Sequence, residues 1–169
     1  MSEEIINKVA ESGLVSLNLE ELYPQGERVL FDLKDFLYEG LILREKDYRT
    51  ALKEYDWQKF SGKYVAITCT ADAIVPTWAF MLAATRLEPF TKKVVFGDLV
   101  ALETAIYKDV IASLPIEDYR NQRVVIKGCS DLPVPVSAYI ELTNALRPVV
   151  KSMMYGEPCS TVPLYKRTD

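Results

Sequence analysis

The sequence predicts an α/β protein: a mostly parallel sheet with helices, an α-rich N-terminal segment, and a C-terminal tail folded over the sheet edge. Three stretches rich in β-branched residues carry the strand signal, KYVAITC (63–69), KKVVF (92–96) and RVVIKG (123–128). Helical periodicity fills the intervals, over 76–87, 98–114 and 135–147. Apolar strands alternating with helices argue for parallel pairing under a helical cover. A length of 169 residues suits one domain, and a composition 49% apolar and 26% charged is globular rather than disordered.

Residues 2–12 read as a short amphipathic helix that ends near Gly13. Residues 14–37 mix apolar and acidic side chains around the breakers Pro24 and Gly26, with RVLFDL (28–33) as a strand. EKDYRTALKEYDWQKF (45–60) spaces Tyr48, Leu52, Tyr55 and Phe60 as a helix would, and Ser61-Gly62 stops it. Residues 1–62 thus form the α-rich segment. Residues 63–150 hold the strand–helix units; Gly97-Asp98 opens a helix to about Leu114 whose apolar face is Leu99, Leu102, Ile106 and Val110. Residues 151–169 are expected to act as a lid, and 1–169 to make a single domain.

Composition narrows the chemistry. The formal net charge is −4 and no Lys/Arg run exceeds a pair, so a phosphate-tracking basic face, and with it nucleic acid, is not expected. The first residues, MSEEIINKVAES, lack a signal peptide's basic start and apolar run. No stretch approaches the ~20 apolar residues of a membrane span. The expected location is the cytoplasm. There is no histidine, which removes His-based triads, His–metal sites and imidazole proton shuttles. No glycine-rich phosphate loop is present, because GKY (62–64) lacks the flanking pattern. The three cysteines, Cys69, Cys129 and Cys159, are too few and scattered for a disulfide framework. A nucleophile or soft-metal ligand would therefore be a thiolate, carboxylate, lysine or hydroxyl.

Two strand–helix units resemble each other, KYVAITCTADAIVPTWAFMLAATRLEP (63–89) and RVVIKGCSDLPVPVSAYIELTNALRP (123–148). In each a cysteine closes the strand (Cys69, Cys129), and a hydroxyl (Thr70, Ser130), an aspartate (Asp72, Asp131) and a Val-Pro pair follow. From that proline, Pro76 or Pro135, the helices match at Ala79/Ala138, Phe80/Tyr139, Leu87/Leu146 and Pro89/Pro148. One gap is needed to match the cysteines as well as the prolines. Ligands of open α/β sheets bind beyond the carboxyl ends of the strands, where both cysteines fall. Nearby helix N-termini lower a thiol's pKa. The tail repeats the cysteine, hydroxyl and Val-Pro elements in CSTVP (159–163). It is expected to fold back with Cys159 toward Cys69 and Cys129, turning at Gly156 and Pro158 and anchored by Val162, Leu164 and Tyr165.

DAIVPTWAFML (72–82), KGCS (127–130), KSMMYGEPCSTVPLYKR (151–167) and EKDYRTALKEYDWQKF (45–60) resemble a family of uncharacterised bacterial proteins. That family is a domain of unknown function typical of Bacteroidetes, and the likeness covers most of the chain after about residue 28. It carries no established activity. Its association with iron–sulfur assembly genes implies a role, and partner proteins, in that process.

Three readings follow. In the first, the three thiolates bind zinc or an iron–sulfur cluster, with Asp72, Asp131 or water completing the site. No CxxC pair is present to support it locally. In the second, one cysteine is a nucleophile or persulfide carrier, its pKa lowered by Lys127 or Lys151. In the third, the cysteines are merely buried, as free cysteines often are, in an interaction domain without turnover. The aspartates then serve as helix caps, and Trp57 and Trp78 as core anchors. The sequence leaves open which metal, whether any reaction is catalysed, and the oligomeric state.

Overall fold

The computed structural model describes residues 13–128, 131–157 and 160–168. The architecture is mixed α/β and mostly parallel, as expected, but the strands fall into two sheets. Strands β1 (Leu14–Leu17), β5 (Arg123–Ile126), β6 (Ser152–Glu157) and β7 (Ser160–Lys166) form one sheet in that order. Strands β2 (Arg28–Asp32), β3 (Tyr64–Thr68) and β4 (Lys93–Phe96) form the other. All pairings are parallel except β6 with β7. The described helices are α1 (Glu45–Glu54), α2 (Thr77–Leu87), α3 (Leu99–Ala112) and α4 (Val136–Leu146). The helix expected over 2–12 lies outside the described residues.

The chain divides into two compact units, one of residues 25–106 and one of the segments before and after it. In the first, Val65 and Ile67 of β3 face a core built with α1 and α2 from Phe31, Leu33, Tyr48, Leu52 and Leu87. Ala66 between them faces Leu102 and Ile106 of α3. A strand buried on both faces explains the unbroken apolar run YVAIT. The second unit packs Val15, Leu17, Val124, Ile126 and Met153 against Tyr107, Ile111, Ala138, Leu142 and Leu146.

Each unit repeats the other. Backbone bonds recur 59 residues apart: Ser61 N–H to Gln58 O and Arg120 N–H to Glu117 O; Lys92 to Lys63 and Lys151 to Gln122; Ala79 to Pro76 and Ala138 to Pro135. The same offset relates α1 to the end of α3, whose Tyr48 and Tyr107 hydroxyls donate to Ala79 O (2.6 Å) and Leu19 O (2.9 Å). It runs unbroken from the strand to the following helix, so no gap is required. Cys69 therefore corresponds to Gly128, and Thr70 to Cys129.

Several boundaries differ from expectation. The front of the chain holds two strands, and LVSL (14–17) was not foreseen as one of them. The helix foreseen over 45–60 stops at Glu54, where Tyr55 turns extended. The Trp57 indole N–H then donates to Leu52 O (2.8 Å), satisfying a terminal carbonyl. On α3, Leu102 and Ile106 are buried but Leu99 is exposed, and Tyr107 and Ile111 continue the buried stripe. The tail forms β7, a hairpin partner of β6. Of its expected anchors, Tyr165 packs on the core beneath the Arg147 guanidinium (4.9 Å), while Val162 and Leu164 are exposed.

Candidate functional site at the strand ends

Cys69 follows β3 in the unit of residues 25–106. It is half-buried among the apolar residues of that core, and its Sγ lies 3.9 Å from Ala71 O. Asp72 is exposed nearby. Asp131 follows β5 in the other unit, exposed, with its backbone N–H donating to Glu20 Oε1 (3.1 Å). Neither aspartate caps the next helix: Pro76 and Pro135 hold those positions without a side-chain bond. Cys129 and Cys159 lie outside the described residues. Among the described residues no three Cys, Asp or Glu side chains gather where they could hold a metal ion.

The two strand ends are furnished differently. At the end of β2, Asp32 opens a 3-10 turn at Leu33–Phe36. Its Oδ1 accepts from Lys34 N–H (3.0 Å) and Thr70 N–H (3.1 Å), and its Oδ2 from the Thr70 hydroxyl (2.5 Å). Burial pulls this carboxyl upward, but the Thr70 and Lys34 bonds and the Lys34 charge together hold it below its ordinary value. After β1 the corresponding residue is Asn18, whose side chain accepts from Glu20 N–H (3.0 Å). Thus the three-stranded sheet carries a fixed carboxylate where the four-stranded sheet carries a neutral amide.

Aromatic residues invert that contrast. Phe80 and Phe96 meet edge-on at 5.2 Å, and their counterparts Tyr139 and Tyr155 meet edge-on at 5.9 Å. The Tyr155 hydroxyl donates to Gly128 O (3.2 Å). Burial, then Tyr155 and Glu20, push the Tyr139 hydroxyl pKa up. A Cβ at Gly128 would stand 2.3 Å from the Tyr155 ring, so only glycine permits this approach. Ile126 registers with Tyr155 across the parallel pair. At the hairpin end Glu157 registers with Ser160. Gly128, Tyr155, Glu157 and Ser160 thereby lie toward one end of one sheet.

Sequence reasoning missed Asp32, Glu20, Tyr139 and Tyr155. The Asp-x-Lys after a strand and the Phe/Tyr match of the repeat were the available signals. Lys127 and Lys151 each donate a backbone N–H, to Leu17 O and Gln122 O respectively. No helix among the described residues is long and apolar enough to cross a membrane.

A family model described as "Protein of unknown function (DUF2480)" matches residues 3–167. The chain belongs to that family. No curated protein and no solved structure matches it.

Proposed function

For this member of the DUF2480 family we propose a role in handling a soft metal ion, zinc or the iron of an iron–sulfur cluster, through the thiolates of the cysteines that follow β5 and β6 in the chain. Cys129 and Cys159 are the ligands in this reading, with Asp131 as an oxygen donor. The supporting observation is the Gly128–Tyr155 contact, a hydroxyl-to-carbonyl bond of 3.2 Å, which ties the chain entering Cys129 to the strand leading toward Cys159. Thiolates suit zinc, copper(I) and iron–sulfur centres, and a carboxylate or water completes a tetrahedron. Cys69 and Asp72, in the other unit, are outside this ligand set. The protein would work in the cytoplasm, beside iron–sulfur assembly proteins and without nucleic acid.

The test is elemental analysis of anaerobically purified protein with each cysteine replaced by serine in turn. Stoichiometric zinc or iron that survives Cys69→Ser and is lost from Cys129→Ser and Cys159→Ser is the expected result. Metal-free protein that also binds no added cobalt(II) would sink the reading. A second reading, an interaction domain, is favoured by exposed Ile74 (92%) and Phe96 (71%) at the strand ends of the three-stranded sheet.

A further inference from the structure

Strand β2 ends the three-stranded sheet, with β3 on one side and, among the described residues, no strand on the other. The Tyr64 N–H donates to Glu27 O (2.9 Å), and the register pairs Arg28 with Tyr64. In a parallel ladder, Glu27, Val29 and Phe31 then turn their backbone groups toward β3, and Leu30 turns its N–H and C=O to the open edge. The Leu30 side chain is 42% exposed. No proline or bulge blunts this strand, the usual protections of an open edge.

A groove of about 330 Å³ runs beside β2, floored by Phe31, Phe36, Tyr55 and Phe60. Its two ends carry opposite net charge, Lys59 beside the Glu27–Lys63 ion pair (3.0 Å) at one and Asp32 with Asp35 at the other. Lys59 lines it in the turn before β3, at the end where β2 begins. Its ammonium lies 4.4 Å from the Tyr55 ring centre, and it makes no ion pair among the described residues. Asp35 lines the groove in the turn after β2. Its carboxylate too has no ion pair or hydrogen bond among the described residues.

We propose that this edge binds a second copy of the chain, β2 against β2 in antiparallel sense about a two-fold axis. A surface positive at one end and negative at the other is its own complement when reversed. Centred on Leu30, the arrangement sets each Leu30 opposite the partner copy's Leu30, exchanging both backbone bonds. Lys59 of each copy then falls toward Asp35 of the other. The product is a continuous six-stranded sheet with both open β2 edges closed.

The experiment is sedimentation of the full chain from about 1 μM to about 1 mM. A reversible dimer is expected. Asp35→Lys and Lys59→Glu should each raise its dissociation constant at least about tenfold, and the double variant should return it to within about threefold of the original. Both residues are exposed, so thermal midpoints should hold, and a matching circular dichroism spectrum confirms folding. A chain monomeric throughout overturns the proposal, as does a dimer indifferent to both single changes. Failure of the double variant to restore pairing overturns it too.

Discussion

Adding one carbon at Gly128 drives it to 2.3 Å from the Tyr155 ring, closer than any real contact. The ring is the movable party, but shifting it breaks the bond to Gly128 O and the edge-on contact with Tyr139. Gly128→Ala should therefore destabilise by about 1–3 kcal/mol, read from urea midpoints, as overpacking does. Gly128→Ala with Tyr155→Ala should cost less than the sum of the two single changes, because the collision is then gone. Strict additivity would show that the two residues do not meet. Asp32 makes a different prediction. Its pKa is lowered on folding, so its contribution is full above the unfolded value, near 3.8, and is lost as pH falls through the folded one. Asp32→Ala should cost about 1–2 kcal/mol at pH 7, the worth of a cap. That difference should shrink below about pH 4, checked by denaturation at each pH.

Helices α1 and α3 use their paired tyrosines alike, each hydroxyl buried and bonded to a backbone carbonyl. Tyr48→Phe and Tyr107→Phe should each cost about 1 kcal/mol, and a large inequality in measured stabilities would break the equivalence of the two units. Where an element announces itself locally, the sequence was readable. KYVAITC, KKVVF and RVVIKG hold strands, and Val75-Pro76 and Val134-Pro135 each precede a helix, whereas Val162-Pro163 lies within β7. LVSL was unreadable as a strand because its partner, Arg123–Ile126, lies more than a hundred residues away. The same distance hid the second sheet: periodicity reports which face a strand buries, not which strand it joins. The candidate site was half legible for a related reason. Cysteines stand out by rarity, whereas Asp32, Tyr139 and Tyr155 are common types whose roles depend on pairings such as Ile126 with Tyr155.

Over the whole molecule, acid–base behaviour follows from what the chain contains and what it buries. With no histidine, no imidazole titrates between about pH 5 and 7.5, the window in which most proteins change charge. Stability should be flat there. Above about pH 10 it should fall, because burial raises the Tyr48, Tyr119 and Tyr139 hydroxyls above their ordinary value of 10.0. For a group whose folded pKa is raised, the unfolded chain gives up its proton first. The native state then holds more protons, and unfolding becomes easier with each further rise in pH. Each such tyrosine contributes a slope of up to ~1.4 kcal/mol per pH unit until it ionises in the folded protein. Urea midpoints from pH 5 to 11, read beside tyrosinate absorbance, test both limbs. A slope between pH 5 and 7.5 would require another group to titrate there, and a flat alkaline limb would mean that these hydroxyls ionise in place.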